Sequence, residues 1–144
     1  MKEYGGKTMN IFPAHGTVNI VTEGNLILIE AKGLWNIEYL DHLHEELIKA
    51  VSQVDKNSYA ALITLNGEAV SVDEGFEYHL NFIRQGNIKA VALNLAYCTT
   101  ASLTKNMCTK LYRAAGIKHA FFDNSHDARL WLEHELKLAT AIGI

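Results

Sequence analysis

The sequence is short of the residues that mark several classes of protein. Its two cysteines, Cys98 and Cys108, form neither a disulfide framework nor a CxxC motif, so we expect reduced thiols. The sequence contains neither a Cys/His quartet at zinc spacing nor a Gly-rich nucleotide fingerprint, and we therefore predict no metal and no organic cofactor. No apolar run approaches the roughly 20 residues that cross a bilayer, which predicts no membrane span.

Net positive charge is also missing, because 16 acidic residues outnumber 13 basic ones and the formal net charge is −3. A chain of this charge has no general attraction to nucleic acid or to an anionic membrane surface. Met1 to His15 lacks the continuous apolar segment of a signal peptide. These absences predict a cytoplasmic protein that binds no nucleic acid.

What is present is the composition of a folded domain. The chain has 144 residues, of which 49% are hydrophobic, and this is enough for one domain with a substantial core. Residues 1–16 contain Gly5-Gly6 and the only proline, Pro13, without a clear hydrophobic period, so we predict a flexible leader there. Residues 17–144 then form a single domain.

Strand and helix patterns alternate along this domain. β-branched and apolar runs at Thr17–Val21 and Leu26–Glu30 flank a turn containing Gly24 and Asn25, which predicts a hairpin. Three further strand-length runs are each followed by an amphipathic helical pattern. We predict strands at Tyr59–Leu65, Ile88–Ala96 and Lys118–Asp123, and helices from Asn36 to about Val54, from Ser71 to Gly86, from Thr99 or Thr100 to Gly116, and after Asn124 or Ser125.

The element order ββαβαβαβα predicts an α/β fold with a mixed, mostly parallel five-stranded sheet, four helices and the antiparallel N-terminal hairpin at one edge. Apolar spacing also predicts which helix positions face inward. They include Leu40, Leu47 and Ile48 in the first helix, and Leu103, Met107 and Leu111 in the third. The end of the chain, Leu136–Ile144, is expected to fray.

The segment after the first buried strand is the strongest candidate for function. There Tyr59–Leu65 leads into a polar elbow, Asn66-Gly67-Glu68, and a new helix opens near Ser71. Ser71 and Glu74 have the spacing of a capping box, in which each side chain satisfies a free main-chain donor. The elbow therefore lies at the carboxyl end of a central strand, where open α/β sheets present their binding crevices.

A second polar run follows the next strand and is expected at the same edge of the sheet. It reads Tyr97-Cys-Thr-Thr100 and offers hydroxyls and N–H donors that suit an anion, although helix capping also accounts for them. We predict a crevice between the segments Asn66–Asp73 and Tyr97–Thr100. The predicted binding surface consists of Asn66, Ser71, Asp73, Tyr97, Thr99 and Thr100.

In its element order the sequence resembles the STAS domain of bacterial anti-sigma-factor antagonists, and more closely the small stand-alone bacterial proteins grouped with it. The resemblance covers Thr17 to Leu136. The resemblance rests on Gly33-Leu-Trp35, on the strand, elbow and helix of Ala60–Phe76, and on the C-terminal segments Ala115–Asp123 and Ala128–Leu132.

The resemblance implies a regulatory module that binds a protein partner. Regulatory members have a phosphorylatable serine that follows an aspartate and precedes a small residue and glycine. The matching place here is Ser71, but no aspartate precedes it and Gly75 comes late. Asp73 and Glu74 also place negative charge beside it, so we favour a permanent binding surface over a phosphorylation switch at Ser71.

Histidines and cysteines give weaker signals. The run Asp41-His-Leu-His44-Glu-Glu46 looks like a metal site, but His42 and His44 point about 200° apart on a helix and cannot share an ion, so we interpret the run as a solvated face. His79 is interpreted as a histidine satisfied at the edge of the core. Cys98, at a helix start, is interpreted as a half-buried structural thiol and Cys108 as a core residue.

Three functional hypotheses remain at this point. The first is a non-enzymatic module that binds a protein or a small amphipathic ligand through loops at the carboxyl ends of the central strands, since no nucleophile, base and orienting group converge in sequence. The second is a small enzyme that uses Cys98 or a histidine such as His79 in the same crevice. The third is a structural homodimer.

Overall fold

A computed structural model describes residues 16–141 of the chain. The strands are β1 (Thr17–Glu23), β2 (Leu26–Trp35), β3 (Ala60–Ser71), β4 (Val91–Asn94) and β5 (His119–Phe122), and the helices are α1 (Ile37–Val51), α2 (Asp73–Ile83), α3 (Ala101–Ala115) and α4 (Ser125–Ala141). The strands form one sheet in the order β1-β2-β3-β4-β5. β1 and β2 are antiparallel and the other neighbours are parallel, which confirms the predicted fold class. The predicted leader lies outside the described residues, apart from Gly16.

The hairpin of β1 and β2 is regular. Its loop is the pair Gly24-Asn25, and Gly24 has a φ of 60°, which a glycine adopts without strain. Glycine at the first position of a two-residue loop gives a turn whose twist matches that of the flanking strands. Seven residue pairs from Glu23↔Leu26 to Thr17↔Lys32 follow without a shift in register.

The strand order decides where the helices lie. Successive parallel strands are neighbours in sequence order, and right-handed crossovers therefore place α1, α2 and α3 on one face of the sheet. α4 follows the last strand and covers β3, β4 and β5 on the other face. The larger core, with Tyr39, Leu65 and Leu93, lies under the three helices, and the smaller one, with Leu132, lies under α4.

Local signals for helix ends are confirmed at several places. The Asn36 side chain accepts a hydrogen bond from the Tyr39 N–H at 2.8 Å and begins α1. The Asn124 side chain does the same for the Asp127 N–H at the start of α4. Gly116 ends α3 in the left-handed conformation with a φ of 71°. Each of these contacts joins residues close in sequence, which is why the sequence alone predicts them.

Several predicted details are wrong. Ile48 and Leu103 were expected to face inward but are 62% and 64% exposed. The buried stripes are rotated because α1 and α3 also pack against α2, and they bury polar residues that the apolar spacing ignores, namely His44 and Thr104. α4 continues to Ala141 instead of fraying from Leu136, because Leu132 and Leu136 pack in the smaller core. Strand β4 is also shorter than the predicted run Ile88–Ala96.

Crossing a bilayer needs a helix of roughly 20 mostly apolar residues, and the described helices, within residues 16–141, do not meet this requirement.

Candidate functional site

The predicted elbow is a bulge inside β3. Lys32 of β2 pairs with Asn66, and the next residue, Gly33, pairs with Ala69, so Gly67 and Glu68 are extra residues on β3. Gly67 has a φ of 65°, which allows the chain to bend there. The strand therefore does not end at the elbow, as the sequence suggested, but continues past it to Ser71.

Main-chain hydrogen bonds join this bulge to the loop after β4. The Gly67 N–H donates to the Tyr97 carbonyl at 2.9 Å, and the Thr99 N–H donates to the Gly67 carbonyl at 2.9 Å. Gly67 and Cys98 form an isolated parallel bridge. The crevice that we predicted between these two segments is therefore closed, and both segments form one continuous rim at the carboxyl end of the sheet.

Hydroxyl groups hold the rim from below. The Thr100 hydroxyl oxygen accepts from the Ala69 N–H at 3.1 Å, and the buried Thr104 hydroxyl donates to the Ala69 carbonyl at 2.7 Å. The two hydroxyls are 2.8 Å apart, and the Cys98 sulfur lies 3.5 Å from that of Thr104. Thr100 is thus the N-cap residue of α3, but its side chain bonds to the Ala69 N–H of β3 instead of to a main-chain N–H of the helix. Sequence reasoning missed Thr104, whose only signal was a hydroxyl four residues after Thr100.

The capping box predicted at Ser71 and Glu74 is wrong. Ser71 is the last residue of β3 and pairs with Trp35 of β2, so the N-cap of α2 is Val72 and no side chain caps this helix. The Ser71 hydroxyl lies 3.3 Å from the Trp35 carbonyl and 2.9 Å from the Val72 carbonyl. Because both neighbours are acceptors, the hydroxyl acts here as a donor.

This environment reverses the order of stability that a capping serine would give for the variants Ser71→Ala and Ser71→Asp. A serine cap would lose about 1 kcal/mol on change to alanine and little on change to aspartate, which is also a good cap. We predict that Ser71→Ala costs less than about 1 kcal/mol, whereas Ser71→Asp costs on the order of 1–3 kcal/mol because it places an anion against two carbonyl oxygens. Urea unfolding of both variants at pH 7 measures this order. A larger loss in Ser71→Ala would contradict it.

The rim brings together part of the predicted surface. Asn66, Tyr97, Thr99 and Thr100 lie around the bulge, whereas Ser71 lies beyond it beside β2 and Asp73 begins α2. The Tyr97 side chain is 69% exposed, and Thr99 and Asp73 are exposed as well. We call Asn66, Tyr97, Thr99 and the groove beside them the carboxyl-end surface.

The groove lies between the carboxyl ends of β4 and β5 and the first turns of α3. It has a volume of about 510 Å³ and is lined by Leu95, Ala101, Ser102, Lys105, Phe121, Phe122 and Asp123. The Lys105 ammonium group lies 5.4 Å from the centre of the Phe121 ring. This open space lies one strand away from the predicted crevice, between β4 and β5 instead of β3 and β4. The sequence did not indicate it, because Phe121 and Phe122 were interpreted only as strand residues.

The cysteines occupy two different environments. Cys98 is half-buried at the rim, and its sulfur contacts the Thr100 and Thr104 hydroxyls. Cys108 is buried in α3, and burial raises the pKa of its thiol to about 12 with a smaller contribution from Cys98. Within residues 16–141 no basic side chain hydrogen-bonds to either sulfur.

A buried histidine pair lies between α1 and α2, away from the groove. His44 Nε2 and His79 Nδ1 are 2.8 Å apart, and the His44 ring stacks on Phe82 at 3.8 Å. The solvated face predicted for the run around His44 is therefore wrong at this residue, although His42 is exposed. Sequence reasoning considered each histidine alone because the partners are 35 residues apart.

Burial shifts the pKa values of both rings. It lowers the pKa of His79 to about 3, with a further lowering from the neighbouring His44. It also lowers the pKa of His44 to about 4, against the opposing effect of Asp41. Both rings are neutral at pH 7. In the described part of the chain, no three His, Cys, Asp or Glu side chains are grouped so that they could hold a metal ion.

Comparison with known proteins supports the fold. No model of a protein family matches the sequence, and no curated protein sequence matches it. The chain is similar to the crystal structure of an uncharacterized protein of the DUF3478 family from Shewanella loihica PV-4, which has a SpoIIAA-like fold. The two share 17% sequence identity over 87% of this chain and 99% of the other, with a TM-score of 0.58. This chain therefore has the STAS-like fold that its sequence predicted.

Proposed function

We propose that this protein is a non-enzymatic, STAS-like module that binds a protein partner through its carboxyl-end surface. The observation that carries the proposal is the exposed aromatic side chain of Tyr97 on a rim fixed by main-chain hydrogen bonds. Large aromatic residues dominate the energy of many protein interfaces. A fixed loop also loses little conformational freedom on binding, so more of the contact energy contributes to affinity.

The groove, whose lining residues Leu95 and Ala101 flank the loop of Tyr97 in sequence, supplies the second part of such an interface. Phe121 and Phe122 give it apolar walls, while Ser102, Lys105 and Asp123 give it polar groups. An apolar centre with a polar margin is the usual arrangement of protein interfaces. A partner side chain would enter the groove while the partner main chain lies along Asn66 and Thr99.

The polar groups near the surface favour binding over catalysis. The Thr100 and Thr104 hydroxyls are already engaged by the main chain of Ala69. His79, the histidine considered as a base, is held by His44 between two helices. Among residues 16–141, therefore, the nucleophile, base and orienting group of an acyl-transfer or hydrolytic site are not assembled around the groove.

The proposal includes a permanent surface instead of a phosphorylation switch. A phosphate on Ser71 would replace a hydroxyl that donates to main-chain carbonyls and would add about −1.5 to −2 charges. The exposed carboxylates of Asp73 and Glu74 follow directly and would repel it.

The proposal also includes a cytoplasmic location, which the two free cysteines support because reducing compartments keep thiols unpaired.

Substitutions of the carboxyl-end surface test the proposal. Partners that co-purify with the parent protein are identified, and their affinities are measured for Tyr97→Ala, Asn66→Lys and the control Leu130→Ala, whose side chain is 52% exposed on α4. We expect Tyr97→Ala to weaken binding by about thirtyfold, as loss of an interface hot spot does. Asn66→Lys should also weaken binding, and Leu130→Ala should leave it unchanged.

Two outcomes would contradict the proposal. One is equal affinity in all variants, with circular dichroism showing that each is folded. The other is a loss in Leu130→Ala as large as that in Tyr97→Ala. A small amphipathic molecule that native mass spectrometry finds on the parent, and not on Tyr97→Ala, would replace the protein partner and keep the surface.

A further inference from the structure

The outer edge of β1 lacks the features that protect most edge strands. Exposed edges are usually short, bulged, or marked by lysine or proline, because an open edge pairs with other chains. β1 has seven residues, Thr-Val-Asn-Ile-Val-Thr-Glu, a register without a bulge, and neither lysine nor proline. The opposite edge of the same sheet, β5, is only four residues long. The two edges of this sheet therefore differ in their capacity to pair.

The main-chain groups of β1 alternate between its two sides. Glu23 and Leu26 flank the two-residue loop and exchange hydrogen bonds, as such pairs do, and every second residue repeats this arrangement. Thr17, Asn19, Val21 and Glu23 therefore direct their N–H and C=O groups to β2. Val18, Ile20 and Thr22 direct theirs outward, and within residues 16–141 no strand other than β2 pairs with β1.

We infer that β1 pairs antiparallel with β1 of a second copy of this chain, about a two-fold axis at Ile20. The outward groups then meet in hydrogen-bonded pairs, with Ile20 opposite Ile20 and Val18 opposite Thr22 of the second copy. The half-buried side chains of these residues meet on the face of α1. Cross-strand pairs of β-branched residues of this kind stabilise antiparallel sheets.

Charge favours a second copy as the occupant of this edge. The only charged residue of β1, Glu23, lies opposite Thr17 of the second copy, so no like charges meet.

The pairing joins two five-stranded sheets into one and leaves the carboxyl-end surface accessible. Because the paired strands are antiparallel, the rims that carry Tyr97 point in opposite directions in the two copies. The dimer would therefore present two binding surfaces at once, and a protein with two epitopes would bind it with greater avidity. The pairing does not depend on what the carboxyl-end surface binds.

Amide hydrogen exchange on the full-length parent tests the pairing residue by residue. At low concentration the amides of Val18, Ile20 and Thr22 should exchange freely, whereas those of Asn19 and Val21, bonded to β2, are protected. At concentrations where sedimentation shows a dimer, the first three should become at least about tenfold slower and the other two should change little. A protein that stays monomeric, or a dimer without this alternation, would overturn the inference.

A pair of double variants tests the register. Asn19 and Val21 are exposed on the opposite face, and the two-fold axis places Asn19 of one copy opposite Val21 of the other. Asn19→Lys with Val21→Lys should raise the dimer dissociation constant by about tenfold or more, because lysines then face each other twice. Asn19→Lys with Val21→Glu should keep the parent dissociation constant or lower it. Equal dissociation constants in the two double variants would place any dimer on another surface and overturn the inference.

Discussion

Acidification from pH 6.5 to pH 5 is expected to destabilise this protein by up to about 1.4 kcal/mol per pH unit for each buried ring of the His44–His79 pair. The pKa values of these rings are lowered to about 4 and about 3 in the folded protein. An unfolded histidine has a pKa near 6.5, so the unfolded chain binds protons in this range while the folded protein does not. The stability that depends on these neutral rings is present above the unfolded pKa of 6.5, and it is lost progressively as the pH falls to about 4 for His44 and to about 3 for His79.

Urea unfolding of the parent and two variants between pH 7 and pH 5 measures this effect. His79→Leu removes one ring, so the slope should fall by up to about 1.4 kcal/mol per pH unit. It should also cost about 1–3 kcal/mol at pH 7, because the buried His44 nitrogen loses its hydrogen-bond partner. The control is His42→Gln, which replaces an exposed histidine of α1, the helix that carries His44. This variant should keep the parent slope. If the unfolding free energy of His79→Leu depended on pH as steeply as that of the parent, the conclusion that both buried rings are neutral would be contradicted.

Gly75→Ala is expected to destabilise the protein by about 1–3 kcal/mol, although alanine is the better helix former. A Cβ on Gly75 would lie 2.5 Å from the Ser71 hydroxyl, 2.7 Å from the Trp35 carbonyl oxygen and 3.2 Å from a Leu40 methyl group. The carbonyl belongs to the end of β2 and cannot move without moving the strand. The gain in helix propensity, about 1 kcal/mol, is smaller than the expected cost of this contact.

Gly86→Ala is the matched control for this prediction. A Cβ on Gly86 would be 3.5 Å from the Tyr59 hydroxyl and 3.6 Å from the Ile83 carbonyl oxygen, which are ordinary contacts. Its effect should therefore lie within about 0.5 kcal/mol of zero, as is usual for uncrowded surface sites. Thermal and urea unfolding of both variants compare them. A Gly75→Ala variant as stable as the parent would mean that α2 does not pack this closely on β2.

The sequence predicted the features of the fold that depend on short stretches of chain. The caps at Asn36 and Asn124, the left-handed Gly116 and the hairpin loop at Gly24 each involve neighbours within a few residues. The alternation of strands and helices then leaves few topologies, since crossovers are right-handed and neighbouring strands tend to follow in sequence. This is why the mixed sheet could be predicted without any long-range contact.

The site was less predictable because its geometry comes from distant pairs. The rule that parallel strands end at one edge correctly placed Asn66 beside Tyr97 and Thr99. It could not show the bulge at Gly67, which depends on the register between β2 and β3. The hydroxyl of Thr104 and the carbonyl of Ala69, like the two buried histidines, meet across 35 residues. Apolar spacing within one helix carries no information on such polar partners.

The most direct test of a binding function at the carboxyl-end surface is amide hydrogen exchange of the parent with and without its co-purified partner. If Tyr97 and the groove form the interface, exchange should slow in segments 66–69, 97–105 and 121–123. The outer face of α4 around Leu130 should remain unchanged. Slower exchange confined to α4, or to the β1 edge, with no change in segments 66–69 and 97–105, would contradict the proposed function.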